Sequence, residues 1–166
     1  MKFTTTNVAG ALIVEQTPVS DERGWFARAW CEREFAEAGF SGGFVQANMS
    51  GNLKAGTLRG LHYQTADAPE AKLIRCIAGS IYDVVVDMRP DSPTFRNWFG
   101  VELSAANRKA VLVPAVCAHG YMALTDGAEA FYMVSAFYTP GAERGVRWDD
   151  PDIGVEWPMT PMVISG

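Results

Sequence analysis

The feature that most constrains this chain is its punctuation. Runs rich in β-branched and aromatic residues, Ile81 to Met88 around Val84-Val85-Val86, Trp98 to Leu103, Ala110 to Val113 and Phe131 to Tyr138, recur along it. Gly79-Ser80, Arg89-Pro90-Asp91-Ser92-Pro93 and Thr139-Pro140-Gly141 interrupt them. Such runs suit a pleated, half-buried surface, and the Gly and Pro clusters turn the chain between them. Many short strands joined by turns predict a sandwich or barrel. Only Cys31 to Ala38 has a helical pattern, with Gly39 placed to end it. The expected class is all-β with one short helical segment near the amino terminus. No repeat, low-complexity tract or linker divides the 166 residues, so one domain, 1–166, is expected, long enough to bury a core. Sheet edges in such a fold need cover, which a homodimer commonly supplies.

Composition narrows the function classes. With 48% hydrophobic and 20% charged residues, the chain has the make-up of a globular protein, and its apolar runs fall far short of a bilayer span. No basic, apolar leader opens it, so no secretion signal is expected. Cys31, Cys76 and Cys117 are odd in number and lack paired spacing, which favours reduced thiols and a cytoplasmic location. A net charge of −5 gives no electrostatic case for nucleic acid, although local arginines suit a small phosphorylated ligand.

Chemistry concentrates around two histidines, the chain's full complement, in Thr57-Leu58-Arg59-Gly60-Leu61-His62-Tyr63-Gln64 and Pro114-Ala115-Val116-Cys117-Ala118-His119-Gly120-Tyr121. An imidazole titrates near neutrality and is the commonest general base. A lone histidine on an apolar strand is more often a core residue, so its company matters. Lys72 opens Lys72-Leu73-Ile74-Arg75-Cys76-Ile77, and Tyr132 lies in Ala130-Phe131-Tyr132-Met133-Val134-Ser135. Removing a proton beside a ketone needs a base, a cation or donor for the enolate oxygen, and an acid to return a proton. His62, Lys72 and Tyr132 supply those three types. Lys72 also fits a solvated strand end, and Tyr132 a buried aromatic.

Taken together, the segments resemble the dTDP-4-dehydrorhamnose 3,5-epimerase family over nearly the whole length. They run from Asp21-Glu22-Arg23-Gly24 through Gln46-Ala47-Asn48, Leu58 to Gln64, Asp83 to Arg89, Ser92-Pro93-Thr94-Phe95 and Ala118-His119-Gly120, to Arg144-Gly145-Val146-Arg147-Trp148-Asp149-Asp150-Pro151 and Gly154-Val155-Glu156-Trp157-Pro158. The resemblance implies a cupin-type jelly roll acting on a nucleoside-diphosphate 4-keto-6-deoxy sugar, inverting carbon 3, carbon 5 or both through an enolate. It implies His62 as base, Tyr132 as proton donor and Lys72 at the keto oxygen. His119 falls in the sugar pocket, Arg59 at the diphosphate, Gln46 and Asn48 at the nucleotide, and Glu143 beside the substrate. Arg23 matches an arginine that reaches a ligand held mainly by the neighbouring subunit, since the family's homodimers exchange amino-terminal strands. No cofactor is implied, because the ketone itself acidifies both neighbouring carbons.

Two departures stand out. Arg28 occupies a position where the family usually has a glutamate, which exchanges an acceptor for a donor and puts the nucleotide's identity in question. The chain ends at Pro161-Met162-Val163-Ile164-Ser165-Gly166 where the family continues into a Ser-x-Lys-Asp tail, whose aspartate is thought to orient the base. Asp83 is the expected substitute orienter. No metal is expected: a cupin metal site uses a His-x-His pair, and the second position after His62 is Gln64. The other readings are a nucleotide-sugar binder that has lost turnover and, less well matched, a metal-dependent cupin.

Overall fold

Two antiparallel sheets pack face to face in a computed structural model that describes residues 1–164. The first sheet runs β1 (Lys2–Thr5), β2 (Leu12–Glu15), β10 (Ala110–Val113), β7 (Lys72–Ala78), β12 (Ala128–Val134) and β5 (Gln46–Asn52). The second runs β13 (Glu143–Gly145), β6 (Thr57–Gln64), β11 (Cys117–Ala123), β8 (Ser80–Asp87) and β9 (Trp98–Ser104), with β14 (Val163–Ile164) parallel to β6. A separate hairpin pairs β3 (Val19–Asp21) with β4 (Gly24–Phe26). This is the expected all-β jelly-roll sandwich, with neighbours in space often distant in sequence.

Three layers of packing hold it. Between the sheets, inward residues such as Ile74, Ile81, Val85, Val111 and Ala130 form a continuous buried core. Outside the first sheet, Leu73, Leu112 and Val14 are capped by Phe35, which is fully buried. The Trp30 ring centre lies 4.3 Å from that of Phe35, tilted, and 4.6 Å from that of Phe44, edge-on. Phe35 sits on the helical segment, which forms α1 (Glu32–Glu37) with Cys31 and Ala38 as its caps and Gly39 at φ +97°. Outside the second sheet, Val84, Val86 and Leu61 are covered by the late segment carrying Val146, Ile153, Val155 and Trp157. Burial of side chains this size stabilises by about 1.5–3 kcal/mol each, so both covers contribute to stability.

The expected strand from Phe131 to Tyr138 is corrected at both ends. β12 begins at Ala128 and stops at Val134. Ser135 instead bonds Ala71, its N–H to the Ala71 carbonyl and its Oγ to the Ala71 N–H. Phe137 and Tyr138 then run out exposed. Alternation within Ile81 to Met88 hides a charged pair of sites: Asp83 and Asp87 lie on β8 fully buried. Asp87 accepts from Arg89 Nε and Nη2 at 2.8 Å, from Ser92 Oγ at 2.5 Å and from Thr94 Oγ1 at 2.6 Å. Burial pulls its pKa up, but the Arg89, Ser92 and Thr94 bonds outweigh that and hold the carboxyl well below the ordinary range.

Candidate active site

The two histidines face each other. His62 on β6 and His119 on β11 are direct cross-strand partners, and their strands come close because Gly60 and Gly120 meet there. A Cβ on Gly60 would stand 2.6 Å from both the Gly120 Cα and the His119 carbonyl oxygen, and Gly60 has φ +105°. The register shifts at this point: His119 pairs with His62 but Tyr121 pairs with Arg59, so three residues of β6 span what two of β11 span. The extra residue reverses the alternation of β6, and Arg59 and His62 consequently line one cavity despite an odd spacing.

That cavity, about 110 Å³, lies between the sheets. The second sheet contributes Arg59, His62, His119 and Tyr121, and the first contributes Ser50, Lys72, Ile74 and Tyr132. Lys72 and Tyr132 share a face of neighbouring strands, because Tyr132 pairs with Ile74 and Val134 with Lys72. A second cavity of about 290 Å³ shares His62, Lys72 and Tyr132 and extends past Gln46, Asn48, Glu70, Tyr138 and Glu143. Gln46 Nε2 donates to Asn48 Oδ1 at 3.0 Å, so these two amides act as a pair at its rim.

Electrostatics differ from group to group. His62 is half-exposed and its Nδ1 lies 4.0 Å from Glu143 Oε1, within reach of charge but beyond a hydrogen bond. His119 is buried and its Nε2 is hydrogen-bonded to Asp83 Oδ2 at 2.8 Å. Asp83 Oδ1 has no partner among the described residues. Lys72 Nζ stands 3.3 Å from Glu70 Oε1, with both side chains largely buried. Burial pushes the Tyr132 phenol up, and the neighbouring Tyr121 and Glu70 push the same way against a smaller opposing effect of Arg59, so its proton is held tightly.

Most of the residues singled out from the sequence converge here: His62, Lys72, Tyr132, His119, Arg59, Gln46, Asn48 and Glu143 line one or both cavities. Asp83 requires a correction. It is bonded to His119 and not to His62, because its place on β8 is opposite Tyr121 on β11, beyond which β6 lies one strand further out. The carboxylate that approaches His62 is Glu143, on β13 beside β6. Arg23 stands apart on the β3–β4 hairpin, exposed and paired with Asp21. Arg28 is paired with Glu34 at 2.8 Å and lines neither cavity. The carboxy-terminal departure is described only as far as Ile164; residues 165 and 166 lie outside the described residues. Gln64 is committed to backbone, donating to the Ala68 carbonyl and accepting from the Thr139 N–H. Among the described residues no cluster of three His, Cys, Asp or Glu side chains could hold a metal ion, and no helix is long and apolar enough to cross a membrane.

Ser50, Asn52, Glu70 and Tyr121 were not singled out from the sequence. They are ordinary polar residues, and the signal that finds them is only their place in the fold: Ser50, Asn52 and Tyr121 on strands, Glu70 in the loop before β7.

The dTDP-4-dehydrorhamnose 3,5-epimerase family model matches residues 5–166. The chain belongs to this family. A dTDP-4-dehydrorhamnose 3,5-epimerase of Methanothermobacter thermautotrophicus is 43% identical over 95% of this chain and 84% of its own. The crystal structure of the corresponding enzyme from Elizabethkingia anophelis superposes with a TM-score of 0.96 at 38% identity, covering 99% of this chain and 91% of the other. That of the Bacillus anthracis enzyme, solved with TDP and PPi bound, gives 0.94 at 38% identity over 99% and 94%. The family's fold agrees with a cavity between two sheets lined by His62, Lys72 and Tyr132.

Proposed function

We propose that this chain is a cofactor-independent epimerase that inverts carbons 3 and 5 of a dTDP-4-keto-6-deoxy sugar, in the making of a rhamnose-like deoxysugar, with residues 1–166 acting as one catalytic domain. The observation that carries the reading is the placement of His62 and Tyr132 on opposite sheets across one cavity, with Lys72 beside Tyr132. His62 removes the proton on carbon 3 or 5, and the C–H electron pair moves to make an enolate whose oxygen the Lys72 ammonium stabilises. Tyr132 returns a proton to the same carbon from the other face, and the ketone reforms with that centre inverted. A phenol whose pKa is raised is fully protonated at neutral pH, which suits a donor. Glu143 stabilises the imidazolium that His62 becomes, and the Asp83–His119 pair offers an oriented imidazole to the sugar. Arg59 takes the diphosphate as a guanidinium fork, and Gln46 and Asn48 contact the nucleotide.

The working form is a homodimer in which amino-terminal strands are exchanged, so that Arg23 reaches the partner's ligand. Val19, Trp25 and Phe26 expose apolar surface on the β3–β4 hairpin, and β5 ends the first sheet with Met49 and the adjoining Leu53 exposed, surfaces that support a partner chain. A cytoplasmic location fits three cysteines that are all unpaired.

The test is proton NMR in deuterated water with thymidine-diphosphate 4-keto-6-deoxyglucose, following positions 3 and 5 separately. Exchange and inversion at both positions are expected. A protein that binds the sugar nucleotide without exchanging either proton would be a binder, and the proposal would fail.

A further inference from the structure

Among the described residues Arg59, like Arg75 and Arg144, bonds neutral acceptors and no carboxylate, but of these three it alone lines the cavity that holds His62, Lys72 and Tyr132. Arg23, Arg28, Arg89, Arg96 and Arg147 are each paired with an aspartate or glutamate. Arg59 is bonded instead to two neutral acceptors: its Nε donates to Asn52 Oδ1 at 2.9 Å and its Nη2 to the Gly51 carbonyl at 3.1 Å. Among the described residues no carboxylate is paired with it.

The amide that receives Nε is itself locked. Asn52 closes β5 with 3% of its surface exposed, opposite Ala128 of β12. Its Nδ2 donates to the Ala128 carbonyl at 2.9 Å and to Tyr121 Oη at 3.2 Å, while Tyr121 Oη bonds Ser50 Oγ at 2.7 Å. Turning the amide over would set its NH₂ against a guanidinium that has only donors and its oxygen against a carbonyl that only accepts. Both contacts would be repulsive, so one orientation survives. This fixed acceptor comes from the first sheet and grips an arginine of the second. It pins the flexible end of Arg59, which lines the cavity, and leaves the guanidinium charge without a carboxylate partner among the described residues.

We propose that Asn52 is a positioning residue that presents the uncompensated Arg59 guanidinium to the substrate's diphosphate. The proposal rests on the reading of Arg59 as the diphosphate contact. Pinning removes rotamer freedom before the ligand arrives, and a neutral partner keeps the full charge for the phosphates, which an aspartate at the same place would neutralise.

The experiment is a double-mutant cycle on the intact enzyme, with dTDP affinity measured by calorimetry and KM and kcat measured in parallel. Asn52→Ala is expected to weaken dTDP binding and raise KM on the order of tenfold, the scale of one lost hydrogen bond to a charged group, with kcat little changed. In an Arg59→Met background the same substitution should have no further effect on dTDP. Asn52→Asp, nearly identical in shape, keeps the acceptor but adds a charge, and should weaken dTDP as well. If Arg59→Met binds dTDP like the wild type, the diphosphate reading of Arg59 is wrong. If Arg59→Met weakens binding but Asn52→Ala does not, or acts equally in both backgrounds, Asn52 is merely structural. Full dTDP affinity in Asn52→Asp would overturn the charge argument.

Discussion

Gly60→Ala tests the geometry on which the site depends. Two penalties meet at this residue. At φ +105° a side chain imposes backbone strain of about 1–3 kcal/mol. Its Cβ would also lie 2.6 Å from the Gly120 Cα and the His119 oxygen, about 1 Å inside a normal carbon contact. Both are backbone atoms, so relief requires β6 and β11 to move apart, an overpacking cost of about 1–3 kcal/mol. The sum is about 4 kcal/mol. For a domain of this length each kcal/mol lowers Tm by about 2–4 °C, so a fall of about 8–16 °C is expected. Because Arg59 and His62 flank the contact, turnover should drop about 100-fold as well. Thermal unfolding followed by circular dichroism, beside Gly43→Ala as a control with open space at its Cβ, makes the measurement. A Gly60→Ala protein melting within about 3 °C of wild type would refute the close-approach argument.

Two further outcomes are expected. Tyr132→Phe removes the donor but leaves His62, so solvent deuterium should still enter carbon 3 from the base's face while inversion falls about 10²–10⁴-fold; equal losses in exchange and inversion would mean that Tyr132 is not a separate acid. Asp87 has its pKa depressed, so its contribution to stability is complete above its ordinary value of 3.8 and is lost as pH falls from there through the folded-state value. Asp87→Asn should therefore cost about 3 kcal/mol at pH 7 by stranding Arg89 and flatten the dependence of stability on pH below about 4; denaturant titrations from pH 7 to 2 with an unchanged acid limb would contradict this.

Local pattern was enough for much of the fold. β10 runs from Ala110 to Val113 as the branched residues dictate, and the helix stops where Gly39 takes a left-handed turn. The family motifs carried the chemical identities of His62, Lys72 and Tyr132. β5 was harder to see, because its alternation of Gln46, Asn48 and Ser50 with Ala47, Met49 and Gly51 carries little apolar signal, and it becomes a strand by pairing with β12.

Local residue order thus supplies the strands, the turns between them and the kinds of side chain available for the site. Folding alone sets which carboxylate lies beside which histidine, the extra residue at Gly60 that turns Arg59 and His62 toward one cavity, and the meeting of Asn52 with Arg59. Periodicity reports the face of a strand from its near neighbours. Sheet pairing, the shift of register and the contact between sheets are set by residues far along the chain, and those relations exist only once it has folded.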